Sequence, residues 1–364
     1  MPVETQNLEA IWETVEEYAP AAEQPLWRRL LYVVLGTTLL MMMLPDAVVV
    51  SDVSHTMIGF EPFPSSSGRA RPVENGGNVW VVEESEGSDW YSNGLQIDNS
   101  HRVRNTPRFY QLLDRSTGLQ ASEEWKSEPV GIVFHTTESP QAPFGPDQND
   151  TLRRLGKNLL DHIRDNRSYN FVVDRFGRVF RVVEEGDAAH HAGNSLWADG
   201  RWALVNLNAS FIGIAFEAQG SSITSAQKNS GRLLVQMLRA KYKIRPELCV
   251  THSQVSVNPS NMRIGYHTDW AEGFPFAEMG LANNYDLTLA SITDFGFQYD
   301  ETFKRAVGEK LWRGLITAEK QVVDDAKDRG RDLEGYRADL QERYHRLYAS
   351  LKETGNLDEG TRLH

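Results

Sequence analysis

Two short apolar runs constrain the fold most. VGIVF (130–134) and the start of FIGIAFEA (211–218) contain no polar break. A strand with one wet face alternates apolar and polar residues, so these runs predict strands buried on both faces, between covering layers. Around them the period changes. TLRRLGKNLLDHI (151–163) puts Leu152, Leu155, Leu159 and Ile163 on one helical face. Thr224 and Gln227 form a capping box before a helix that turns Leu234, Met237, Leu238 and Tyr242 inward. NFVVD and RVFRVV flank Arg175-Phe176-Gly177 as a hairpin, and LCVT (248–251) closes the series as a short strand. This order predicts an α/β fold, a central mixed β-sheet flanked by helices.

The flanks read differently. Residues 30–44 (LLYVVLGTTLLMMML) are fifteen uncharged residues, preceded by Arg28 and Arg29 and closed by Pro45-Asp46. A bilayer span takes about 20 apolar residues, and recruiting residues 47–50 supplies them, so 30–50 is predicted as a transmembrane anchor. A buried soluble helix would keep a polar face, which this run lacks. A signal-peptide core has a similar length, but no A-x-A site follows. The arginines hold residues 1–29 as a cytoplasmic tail and put everything after residue 50 outside. Within the tail, Leu8, Ile11, Trp12 and Val15 fall at helical spacing among glutamates, as an amphipathic helix or a frayed acidic segment. Residues 51–77, rich in Pro, Ser and Gly, read as a linker. Residues 78–120 read as a small β module, 121–300 as the main domain and 301–364 as a charged helical tail. In that tail Leu333, Tyr336, Leu340, Tyr344, Leu347 and Leu351 step by three or four. Such a stripe suits a helical hairpin, a helical partner or self-association.

Charge and cysteine usage narrow the chemistry. A net charge of −12 argues against nucleic acid as a partner. The single cysteine, Cys249, excludes an internal disulfide and any CxxC site. A metal would therefore rest on histidines and carboxylates. His135 ends GIVFH, His252 ends LCVTH, and Asp269 follows in YHTDW. Ligands gather beyond strand ends in open α/β sheets. Two imidazoles and a carboxylate are a ligand set for a catalytic zinc with its fourth position left to water. By spacing alone, with 117 residues between the histidines, they are equally two hydrogen-bonding side chains. Cys249, three residues before His252, faces the other side of its strand and reads as a buried apolar residue.

The ordered series IVFHTTES, SYNFVVDRFGRVFRV, HHAGNS, FIGIAFEAQG and THSQ…HTDW resembles the zinc-dependent N-acetylmuramoyl-L-alanine amidases. That family includes the phage-lysozyme-type amidases and the peptidoglycan recognition proteins. The resemblance covers about 150 of 364 residues. It implies an amidase fold, peptidoglycan as partner and substrate, and Zn2+ held by His135, His252 and Asp269. It also implies a catalytic Tyr169 beside the attacking water, and His267 as oxyanion stabiliser and general acid. The HAG-type loop would bring His191 and Asn194 to the substrate, with Trp197 and Trp202 stacked on sugars or simply packed. Two departures stand out. Ala215 occupies the place of a general-base Glu found in some relatives, with Glu217 two residues on. The 16 residues between His252 and Asp269 also exceed the usual loop. The expectation is a single-pass inner-membrane amidase with its catalytic domain on the periplasmic side. It would cut the amide between N-acetylmuramic acid and L-alanine. The alternative is a non-catalytic peptidoglycan-binding envelope protein.

Overall fold

The computed structural model describes residues 78–119 and 124–353, all within one compact unit. The expected tail, anchor and linker, and the last residues of the helical tail, lie outside them. Among the described residues no helix is long and apolar enough to cross a membrane.

The strands are β1 (Val81–Glu84), β2 (Ser88–Tyr91), β3 (Gln96–Asp98), β4 (Leu113–Asp114), β5 (Gly131–Thr136), β6 (Phe171–Val173), β7 (Val179–Arg181), β8 (Leu196–Asp199), β9 (Trp202–Val205), β10 (Phe211–Phe216), β11 (Cys249–Thr251), β12 (Val257–Asn258) and β13 (Arg263–Ile264). The helices are α1 (Asn149–Asn166), α2 (Leu207–Ser210), α3 (Ser225–Tyr242), α4 (His252–Val255), α5 (Ala290–Thr293), α6 (Glu301–Val307), α7 (Arg313–Asp328) and α8 (Leu333–Glu353). The main sheet runs β1-β2-β3-β7-β6-β10-β5-β11. Its centre is parallel, with β5 between β10 and β11, while β6 and β7 form the expected antiparallel hairpin. The apolar runs are the two strands whose six residues are all buried, β5 and β10.

Helices cover both faces. Leu160 and Ile163 of α1 pack on Val172 and Phe180. Leu234, Met237 and Leu238 of α3 join the larger cluster with Phe171, Phe134 and Phe216. Each such fully buried side chain contributes about 1.5–3 kcal/mol. α3 starts at the expected capping box, Thr224 with Gln227. In the β6–β7 turn the Asp174 carboxylate accepts the N–H groups of Phe176 and Arg178. Gly177 sits there at φ 81°, where an added Cβ would lie 2.8 Å from the Ala226 carbonyl oxygen.

Two expected boundaries dissolve. The segment read as a separate β module extends the main sheet instead: β3 pairs in parallel with β7, and β2 and β1 follow outward. The cause is buried charge: Arg181 of β7 bridges Asp89 of β2 and Glu185. The C-terminal helices also belong to the domain. Leu340, Tyr344, Leu347 and Leu351 lie in the main core cluster, Tyr344 against Phe295 and Phe297. Of the stripe read as a helical hairpin, a helical partner or self-association, Tyr336 to Leu351 pack into the chain's own core.

Candidate active site

The register of the central strands sets the site. His135 pairs with Ala215 of β10, which pairs with Val172 of β6 on the face covered by α1. His252 is not strand-terminal as expected: it is the first residue of α4, so the chain bends there. The long stretch before Asp269 folds into the β12–β13 hairpin, with Val257 opposite Ile264. The hairpin returns the chain to its start, where Gly265 N–H donates to the Ser256 carbonyl and His267 N–H to Ser256 Oγ. The extra residues are absorbed locally, and Asp269 arrives beside both histidines.

All three ligand atoms lie within 4.8 Å of one another. His135 Nδ1 is 3.1 Å from Asp269 Oδ2, and His252 Nδ1 is 2.9 Å from Asp269 Oδ1. A tetrahedral ion with bonds of about 2.0–2.1 Å spaces its donors by about 3.3 Å, close to these separations. His252 Nε2 is buried without a hydrogen-bond partner.

Counting protons tests the fit. His135 Nε2 is 3.1 Å from His191 Nδ1, and His191 Nε2 is 3.3 Å from the Phe211 carbonyl oxygen. The chain Phe211 O, His191, His135, Asp269 has three links, an acceptor-only oxygen at each end and two imidazoles between. A neutral imidazole carries one N–H, so two protons serve three links. Extra protonation is opposed: burial, then the neighbouring His252, pushes His135 down to about 4. Burial, then His135, holds His191 well below the usual histidine range. Burial would raise the Asp269 carboxyl, but the two histidines override it and hold it ionised. A cation against Asp269 closes the chain, so the donor set fits a divalent metal.

His252, Asp269 and His191 line a cavity of about 610 Å³ with Tyr169, His267 and Glu138. Tyr169 stands 5.1 Å from His135, centroid to centroid, and burial, then Asp269, raises its phenol. His267 is exposed and stacks on His252 at 4.5 Å. Glu217 is turned away: its carboxylate accepts Arg175 N–H at 3.1 Å. Glu138, which the sequence reading passed over, lies at the cavity wall with φ 47°, in the left-handed region a non-glycine residue rarely adopts. Its position three residues beyond a strand-terminal histidine was the available signal.

His191 lines the cavity but is buried, its ring nitrogens 3.1 Å from His135 Nε2 and 3.3 Å from the Phe211 carbonyl oxygen. Asn194 is not among the lining residues; its carbonyl accepts Val257 N–H and ties the loop to β12. Trp197 is a core residue, and Trp202 carries Arg201 over its ring at 4.5 Å. Cys249 is buried, as expected, and burial pushes its thiol up to about 12.

Residues 125–269 match the family described as N-acetylmuramoyl-L-alanine amidase. The chain is similar to AmiD of E. coli, solved with anhydro-N-acetylmuramic acid-L-Ala-D-γ-Glu-L-Lys: 19% identity, TM-score 0.38, covering 68% of this chain and 100% of that one. It is also similar to AmpDh3 of Pseudomonas aeruginosa in complex with anhydromuramic pentapeptide, at 20% identity and TM-score 0.33, covering 44% of this chain. The chain spans 61% of the length of that AmpDh3 structure. A third similarity is to the amidase LysC of Clostridium intestinale, at 19% identity and TM-score 0.27, covering 49% of this chain and 93% of that one. None of the curated proteins compared with the chain matches it.

Proposed function

Because residues 125–269 form a domain of the N-acetylmuramoyl-L-alanine amidase family, we propose that this chain hydrolyses the amide joining N-acetylmuramic acid to the L-alanine of a peptidoglycan stem. His135, His252 and Asp269 would hold a zinc ion. When bound, zinc supplies Lewis acidity and brings the pKa of water from about 15.7 towards about 7. The observation that carries this reading is the convergence of His135, His252 and Asp269, whose ligand atoms lie within 4.8 Å of one another.

The chain's own groups divide the remaining work. The Tyr169 hydroxyl, kept protonated, donates a hydrogen bond to the oxyanion that develops on the scissile carbonyl. Glu138 accepts the proton of the attacking water, since Ala215 offers no carboxylate and Glu217 is engaged by Arg175. His267, at the exposed rim, delivers a proton to the leaving alanine nitrogen. We further propose that residues 30–50 anchor the chain in the inner membrane, with residues 78–353 on the periplasmic side.

The test is digestion of purified sacculi by the detergent-solubilised full chain, with and without a chelator. Mass analysis should find free stem peptides beginning with L-alanine, lost on chelation and restored by zinc. Sacculi that are bound but release no such peptide would sink the enzyme reading in favour of a binding protein.

A further inference from the structure

We propose that His191 is a positioning residue for the metal site: it accepts the Nε2–H of His135 and so fixes His135 in the tautomer whose Nδ1 lone pair faces Asp269. This rests on the metal-dependent reading above and adds to it a reason why His135 binds through Nδ1.

Polarity is set from the far end of the chain of hydrogen bonds. The Phe211 carbonyl can only accept, so His191 Nε2, 3.3 Å away, carries the hydrogen. His191 Nδ1 is then a bare acceptor, and His135 Nε2, at 3.1 Å, donates to it. One neutral imidazole has one N–H, so Nδ1 of His135 is left with its lone pair toward the carboxylate, 3.1 Å off. Without His191, the favoured state of the pair would be Nδ1–H donating to Asp269, which blocks the metal.

The anchoring of His191 is equally specific. Asn208 Oδ1 accepts the N–H groups of His191 and Ala192 at 2.9 and 2.7 Å. Buried Arg108 donates to the carbonyls of Asn208 and Phe211, holding both of His191's supports. Gly213 of β10 leaves the space in which the ring lies: an added Cβ there would fall 2.6 Å from His191 Cγ. A ring merely filling a hole would need none of this polar fixing.

The experiment reads zinc binding and tautomer, not turnover. In the full chain, zinc affinity is measured by competition with a chromophoric chelator. Long-range 1H–15N correlation spectra of the histidine-labelled, metal-free protein report which nitrogen of His135 is protonated. His191→Phe should weaken zinc about 10- to 100-fold, whereas His191→Asn, whose Oδ1 can stand where Nδ1 stood, should stay within a few-fold of wild type. The metal-free wild type should show His135 as Nε2–H. Equal zinc affinity in a folded His191→Phe, or Nδ1–H on His135 in the wild type, would overturn the proposal. Should His191→Phe fail to fold, the wild-type spectrum still decides. A wild type that binds zinc and shows Nε2–H but releases no stem peptide would retire the amidase reading alone.

Discussion

Two buried polar clusters lie on opposite halves of the same sheet, and they balance differently. Around Arg181, guanidinium N–H groups go to Asp89, Asn99, Tyr91 and Glu185. Lys241 and the Tyr242 hydroxyl complete the Glu185 carboxylate, so two cations face two anions and each acceptor meets a donor. Around His135, two acceptors terminate a row that is one hydrogen short. The first cluster is a closed staple between β2 and β7. The second can be completed only by a positive charge from outside the chain. Buried polar atoms are not by themselves a sign of function; an unmatched set of lone pairs inside a cavity is.

Substitutions at the two clusters should therefore fail in opposite ways. Asp269→Asn removes the carboxylate that leaves the histidine row short. On the proposed zinc-dependent reading, stem-peptide release should fall at least about a thousandfold, since several kcal/mol of transition-state stabilisation would leave with the ion. Zinc per chain should drop in elemental analysis, while the thermal midpoint should hold or rise relative to the metal-free wild type. Arg181→Met does the reverse. It strands Asp89 in the interior without its cation at a cost of about 3–5 kcal/mol, read as a lower urea midpoint. Hydrolysis per folded molecule should not change. A large stability loss in the first variant, or a rate loss in the second, would erase the contrast.

The smallest effect is the acid response of the staple. Burial would raise the Glu185 carboxyl, but Arg181, then Lys241, lowers it below its ordinary range. Its folded pKa thus lies under the unfolded value of about 4.3. The stabilisation is complete above that value and is lost as pH falls from it through the lower folded pKa, because the unfolded chain there binds more protons. The urea midpoint should fall with acid below about pH 5, and less steeply in Glu185→Gln.

What the sequence disclosed follows from how local each signal is. β5, β10, the Gly177 turn and the Thr224 cap are set by neighbours within a few residues, and all appear where their patterns put them. The ligand trio was reached through the resemblance, since nothing in a separation of 117 residues encodes contact. The pairing of β3 with β7 was hidden because strand alternation does not name a partner. A lone arginine such as Arg181 or Arg108 looks like surface until burial is known. The depth of His191 was hidden for a related reason: it depends on Gly213, which in FIGIAF reads as one more small residue of a strand. The α8 stripe is also ambiguous, because a face built for its own core and one built for a second copy share the same spacing.

The loop that carries Asp269 is roofed from beyond the family-matching segment. An added Cβ on Gly265 would lie 2.0 Å from the Phe303 ring, and the Trp312 indole N–H donates to the Ala271 carbonyl at 3.1 Å. Cutting an expression fragment at residue 269, or at 300, would strip both lids and leave Asp269 on an unsupported strap. The smallest piece that should crystallise with its chemistry intact therefore runs from residue 78 to the end of α8.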